Sequence, residues 1–239
     1  MDARSERCDM EWLGPIADVE FTGEGPVEAR IEGRFSKLTI EGDTTMRGFG
    51  LLGRSLGDTS AAVSYRASTL RFNDVLVKRG AGSVRGAGQL VFGGPPRIEA
   101  AADLRRIDVA DSLVDLKLSP SLARRIDAAG DGRLILHGLL AKPGGIIHAR
   151  APRAAIDGVE LGAMNLEVGF GPGERKLWGE IGLARQSGLV DVQAAWLEDD
   201  SVTLAGQLAN VPLLSMRRFF GVALVDGSLS GRFNLKGPL

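Results

Sequence analysis

Four glycines, Gly80, Gly82, Gly86 and Gly88, crowd the stretch "VKRGAGSVRGAGQLVF" at residues 77–92. Glycine at such spacing is what a phosphate-cradling loop uses, but the loop works only where a strand turns into a helix, so that free backbone N–H groups and the helix dipole meet the anion. Here Gly88 leads into Gln89, Leu90, Val91 and Phe92, and then Gly93, Gly94, Pro95 and Pro96 end the segment before a stable helix can form. The Lys-Ser/Thr pair of a phosphate loop is missing too. The stretch reads as strand, turn and strand, its glycines permitting a bent hairpin and close backbone approach.

The other residues with chemical capability give equally bland readings. His137 and His148 are the only histidines; they lack ligand spacing and a partner carboxylate pattern, so no metal or acid–base chemistry is assigned to them. Glu198, Asp199 and Asp200 could hold a cation, but they fall between two strand patterns, where a polar hairpin turn is the plainer account. Arg217 and Arg218 beside Phe219 and Phe220 could touch lipid headgroups; the simpler reading is the wet side of a helix whose C-terminal end they complement. Cys8 is the single cysteine and cannot form an internal disulfide. No Gly-x-Ser-x-Gly elbow and no Ser, His and Asp set stands out. The expectation is a protein that is no enzyme and needs no metal or cofactor. With 29 Lys plus Arg against 30 Asp plus Glu and no basic stripe among aromatics, a nucleic-acid partner has no electrostatic support.

What must position the chain is therefore its apolar pattern. At 239 residues and 44% apolar it can bury a core. The N-terminus lacks a secretory pattern, and no window is apolar enough to span a bilayer. The abrupt start and the ending "NLKGPL" suggest a piece of a longer polypeptide. Short runs alternate with period two. In "ARIEGRF", Ala29, Ile31 and Phe35 oppose Arg30, Glu32 and Arg34; in "GLVDVQAAW", Val190, Val192, Ala194 and Trp196 oppose Asp191 and Gln193. Both are half-buried strands. The same period marks runs at 37–43, 61–67, 69–74, 132–138, 176–183, 201–208 and 227–237, the last (Leu229, Phe233, Leu235) with a register change.

Two places show helical spacing instead. Val109, Leu113 and Leu116, followed by Ser119, Pro120, Leu122 and Ile126, predict a short helical pair near 109–126; Asn210, Pro212, Leu213, Met216, Phe220 and Gly221 predict one helix near 212–220. Landmarks also recur. Gly33 answers to Gly138 and Gly237, Leu56–Gly57 to Leu161–Gly162, Gly82 to Gly188, and Asp108–Val109 to Asn210–Val211. The expected organisation is an irregular segment 1–19, a first repeat unit 20–130, a second 131–225 and the start of a third at 226–239.

The unit, with its closing "DGSLSGRFNLKG" at 226–237, resembles the TamB family and the wider AsmA-like superfamily of Gram-negative envelope proteins. A proline often follows the unit-opening glycine in that family; Pro143 supplies it after Gly138, whereas Leu38 stands there after Gly33. The resemblance implies an all-β, elongated curved sheet, a taco or groove-like repeat architecture with a few short helices between repeat units. It also implies a periplasmic location within an inner-membrane-anchored parent, and transport of phospholipid to, or protein assembly in, the outer membrane. Partners would be phospholipid acyl chains and, through other parts of the parent chain, outer-membrane assembly proteins.

Strand parity nominates the lining of such a groove: Ile31, Leu38, Ile40, Val63, Tyr65, Leu70, Phe72, Leu90, Phe92, Leu134, Leu136, Val168, Phe170, Leu177, Ile181, Val190, Val192, Trp196, Val202, Leu204 and Leu208. The competing expectation is a structural β-solenoid or sandwich, a spacer or adhesin-like stalk whose apolar face is closed on itself.

Overall fold

The computed structural model describes residues 2–13, 20–33, 38–51, 53–111, 125–172, 175–185, 188–212 and 227–238. Each of the nine period-two runs falls on a strand, and five further strands make fourteen. The first seven are β1 (Asp2–Asp9), β2 (Phe21–Glu32), β3 (Thr39–Leu51), β4 (Arg54–Arg66), β5 (Thr69–Arg79), β6 (Gly82–Val91) and β7 (Arg97–Asp108). The rest are β8 (Ile126–Leu139), β9 (Lys142–Ile156), β10 (Val159–Phe170), β11 (Arg175–Arg185), β12 (Gly188–Leu197), β13 (Ser201–Pro212) and β14 (Ser228–Pro238). They form one antiparallel, unclosed sheet whose hydrogen-bonded order is the chain order, so that β1 and β14 each bond a single neighbour. The all-β expectation holds.

Tight hairpins make this order possible. Ala67 and Ser68 between β4 and β5, and Asp157 and Gly158 between β9 and β10, all have positive φ, the requirement of a type I′ turn whose twist matches its strands. The glycine cluster of residues 80–88 is indeed a hairpin: Gly80 and Ala81 make the turn, and Arg79 pairs with Gly82. A Cβ at Gly86 would stand 2.4 Å from the Ala101 carbonyl oxygen, and one at Gly88 would stand 2.7 Å from the Ala100 Cβ. Bare backbone at both lets β7 lie close.

Six-strand blocks correspond. A shift of 105 residues carries the start of β2 onto that of β8 and the start of β4 onto that of β10. Gly33 and Gly138, at φ 100° and 102°, share the left-handed region, as do Gly57 and Gly162 at 111° and 93°. Register shifts fall at both Gly57 and Gly162. Gly237 lacks the positive φ of Gly33.

Several expectations need correction. Asp2–Asp9, expected to be irregular, is strand β1, and Met10–Leu13 is a 3-10 turn. Residues 109–111 are helical, with Asp108 Oδ1 accepting the N–H groups of Ala110 and Asp111; but Ile126 opens β8. Asn210, Val211 and Pro212 belong to β13, where Val211 pairs with Leu229 and Pro212 with Ser228, so no helix starts at Asn210. Its φ of 51° marks the register shift that sequence parity placed in β14. Arg106, at 48°, is its counterpart, which displaces the Asp108 to Asn210 landmark. The remaining helical positions, 112–124 and 213–221, lie outside the described residues.

The chain divides into two compact units, residues 1–107 with 133–144, and residues 108–132 with 145–239. In the first unit Phe21, Leu90 and Leu140 form one buried cluster, with Met10, Phe49, Leu70, Phe72, Phe92 and Ile98 packed on it. In a flat sheet β2 and β6 would be roughly 19 Å apart. Their shared cluster requires this unit to bend over its own apolar face. In the second unit the core is smaller-grained: Ala128, Ala151, Ala154 and Met164, with Val109, Ile126 and Leu183 against them. Arg125 clamps Asp157 with two nitrogens, Nε donating at 3.0 Å and Nη2 at 2.7 Å, and the Asp157 N–H donates to the Arg125 carbonyl.

Candidate functional site

Directly paired residues in an antiparallel sheet share a face, so register converts the nominated residues into rows. In the first unit Ile31, Ile40, Tyr65, Leu70, Leu90 and Ile98 form one continuous cross-strand row through β2 to β7. The next row on the same face is Ala29, Gly42, Val63, Phe72, Gly88 and Ala100. Leu38 and Phe92 fall just outside the strands; the Phe92 N–H donates to the Ser68 carbonyl at 2.7 Å and the ring joins the buried cluster. On β8, Leu134 and Leu136 are half-buried and alternate with exposed Arg133, Ile135 and His137.

The second unit repeats the construction. Phe170, Leu177, Trp196, Val202 and Gly237 make one row; Val168, Gly179, Ala194, Leu204 and Leu235 the next. Leu166, Ile181, Val192, Gly206 and Phe233 follow, then Met164, Leu183, Val190, Leu208 and Gly231. Every nominated residue of strands β10 to β13 therefore stands on one face.

The opposite face is polar. Its central row in the first unit is Arg30, Glu41, Ser64, Arg71, Gln89 and Glu99, with Gln89 Nε2 donating to Glu99 Oε2 at 2.8 Å. In the second unit His148, Glu167, Glu180 and Gln193 form a row, His148 Nδ1 lying 3.0 Å from Glu167 Oε2. Trp178 is the large aromatic of this face; a Cβ at Gly169, directly opposite, would fall inside its ring, so the indole covers that glycine. Glu198, Asp199 and Asp200 form the turn between β12 and β13, where Asp199 Oδ1 accepts both the N–H and the hydroxyl of Ser201 at 2.9 and 2.6 Å. These bonds, chiefly the hydroxyl one, hold its carboxyl below the ordinary aspartate range. Among the described residues no group of His, Cys, Asp and Glu could hold a metal ion.

The two apolar faces differ in cover. In the first unit Phe21, Met46, Val77 and Leu90 are buried. In the second, Leu177, Ile181, Trp196, Leu229 and Leu235 are exposed, Ile181 at 37% and Leu235 at 60%. The only helical turns among the described residues, 10–13 and 109–111, are too short to roof either face. None of the described helices is long and apolar enough to cross a membrane.

Sequence reasoning missed Met46, Val77, Ile98, Leu104 and Leu166 on the apolar faces, and it read Leu183 and Phe233 in alternating runs without nominating them as lining. Ile98, Ala100, Ala102 and Leu104 do alternate with Arg97, Glu99, Ala101 and Asp103, but the alanines dilute the signal. Val77 changes parity relative to Phe72 because Asp74, at φ 50°, sits in a register shift. Arg217, Arg218, Phe219 and Phe220 lie outside the described residues. No protein-family model, curated protein or solved structure matches the chain.

Proposed function

We propose that this chain is a segment of a periplasmic, TamB or AsmA-like protein whose apolar sheet face carries phospholipid acyl chains for transport to, or assembly of, the outer membrane. The observation that supports the reading is the run of cross-strand apolar rows in the second unit, buried at Met164 but exposed at Leu177, Ile181, Trp196 and Leu235, and opposed by a polar face. Each methylene that an acyl chain removes from water contributes roughly 0.8 kcal/mol, so such rows bind a chain without any polar site, and with little selectivity among chains. Burying that face is favourable, and the side chains of the described residues do not complete the burial.

The test is a photo-crosslinking amino acid placed at Ile181 or Leu204 and, as controls on the other face, at Glu180 or Thr203. Phospholipid captured in the envelope at the first pair and not the second is expected. Equal labelling of both pairs overturns the reading. Absence of labelling at all four favours a self-closed spacer instead, a reading to which the buried Phe21, Leu90 and Leu140 cluster lends support in the first unit.

A further inference from the structure

Trp178 breaks the parity of its strand. The apolar side of β11 holds Leu177, Gly179, Ile181 and Leu183, while Trp178 faces the other way with Glu180 and Gly182. An indole that needed only burial belongs with the first set. Its placement is specific. A Cβ built on Gly169 would lie closest to Cε2 of the ring and almost as close to Cζ2 and Nε1. Cε2 is bonded to the other two, so an approach in the ring plane would bring one of them nearer than Cε2; the point lies over a ring face instead. The indole is therefore laid face-down on the Gly169 backbone, half-buried, with its second face turned away from the sheet. Ile146, paired with Gly169, extends this apolar plate by one strand. The neighbouring row along the strands is His148, Glu167, Glu180 and Gln193. Within it His148 Nδ1 lies 3.0 Å from Glu167 Oε2, and Gln193 Nε2 reaches Glu180 Oε2 at 3.5 Å.

We propose that this plate binds a sugar ring: a glucose-type pyranose of a neutral glycan, stacked on the outward face of Trp178. Such a pyranose carries axial C–H bonds on its two faces and hydroxyls around its rim, which makes it an apolar disc with a polar edge. The disc matches the indole and Ile146. The rim meets the carboxylate, amide and imidazole row, which stands about 6.8 Å along the strands and offers both acceptors and donors to hydroxyls. His148 and Gln193 already engage Glu167 and Glu180, which orders the two carboxylates as acceptors. They also fix the charge of the ligand. Glu167 and Glu180 stand directly opposite each other, so a uronic acid or phosphosugar placed there meets like charge at short range, whereas hydroxyls donate to both. Water displaced from the ring and from sugar carbon stabilises the contact. The plate lies on the face opposite the apolar rows, so it stands independently of acyl-chain carriage.

Saturation-transfer NMR on the whole chain, with the N-acetylglucosamine trimer as probe, tests the site. Saturation of the sugar ring protons at millimolar probe is expected, and none for a galacturonate trimer. Trp178→Ala should weaken binding about tenfold, the effect of losing about 60 Å² of stacked apolar surface. Trp178→Phe keeps a smaller plate and should weaken it measurably but less. Glu180→Gln should change binding by no more than about twofold, since its amide still bonds hydroxyls, and Trp196→Phe, on the opposite face, should leave it unchanged. If Trp178→Ala does not fold, the contrast between Trp178→Phe and Trp196→Phe decides. The proposal is overturned if the native chain leaves the N-acetylglucosamine trimer unsaturated or saturates the galacturonate trimer equally. It is also overturned if Trp178→Phe binds as the native chain does, or if an arginine peptide is preferred and Glu180→Gln abolishes that preference, which would make the plate a cation site.

Discussion

Asp157 occupies a hairpin turn and Asp199 another, and both carboxyls are held below the ordinary value of 3.8, Asp157 by hydrogen bonds from Arg125 and Asp199 by those from Ser201. A carboxyl with a depressed folded pKa binds its proton more tightly in the unfolded chain. Its contribution to stability is therefore complete above the unfolded value and is lost as pH falls through the folded one. Carboxyl NMR titration should place both midpoints below 3.8. Urea midpoints measured at successive pH values should fall more steeply below that pH in the native chain than in an Asp157→Asn, Asp199→Asn variant. Parallel profiles would mean that neither interaction persists in solution. Both groups are solvent-exposed, and salt should reduce the difference.

Strands place glycine where a neighbouring backbone or ring must come close, and the sheet gives a paired test of this. A Cβ on Gly206 would meet the Asp191 carbonyl oxygen at 2.5 Å and the Phe233 ring at 2.6 Å, whereas one on Gly182 meets nothing within 4 Å. Gly206→Val is expected to cost about 1–3 kcal/mol through overpacking. Gly182→Ala should stabilise by about 0.4–1 kcal/mol, since it restricts the unfolded chain without a clash. Denaturant midpoints decide both. The same scale shows what could be read in advance. Alternation in "GLVDVQAAW" and "GRLILHG" marks strands because one side is half-buried and the other wet. In "DARSERCD" nearly every residue of β1 is exposed, so an edge strand carries no such signal. "NVPLL" misleads for a different reason: asparagine tolerates positive φ, and locally a register shift before proline looks like a helix cap. Only the pairing of Val211 with Leu229 resolves it. The candidate lining was legible to the same extent as the strands, and it failed where Asp74 shifts the register and where alanines thin the pattern.

At the scale of the molecule, the contrast between the faces can be read by tryptophan. Trp196 stands in an apolar row at 38% exposure, its indole N–H donating to Asp200 Oδ1 at 3.2 Å, and Trp178 lies on the polar face. With Trp12→Phe as the background, which leaves two of the three tryptophans, phospholipids brominated along their acyl chains should quench the fluorescence of the background protein and of its Trp178→Phe variant, and quench its Trp196→Phe variant much less. Loss of quenching in Trp178→Phe instead would place the chains on the wrong face.

Because every strand bonds only those before and after it in the chain, no ladder waits for a distant segment to arrive, and loop-closure entropy stays small at each step. Such a sheet can be laid down in the order in which residues leave a ribosome or a translocation pore, each hairpin settling on the one just finished. Lengthening it by duplication would leave the steps already taken unchanged.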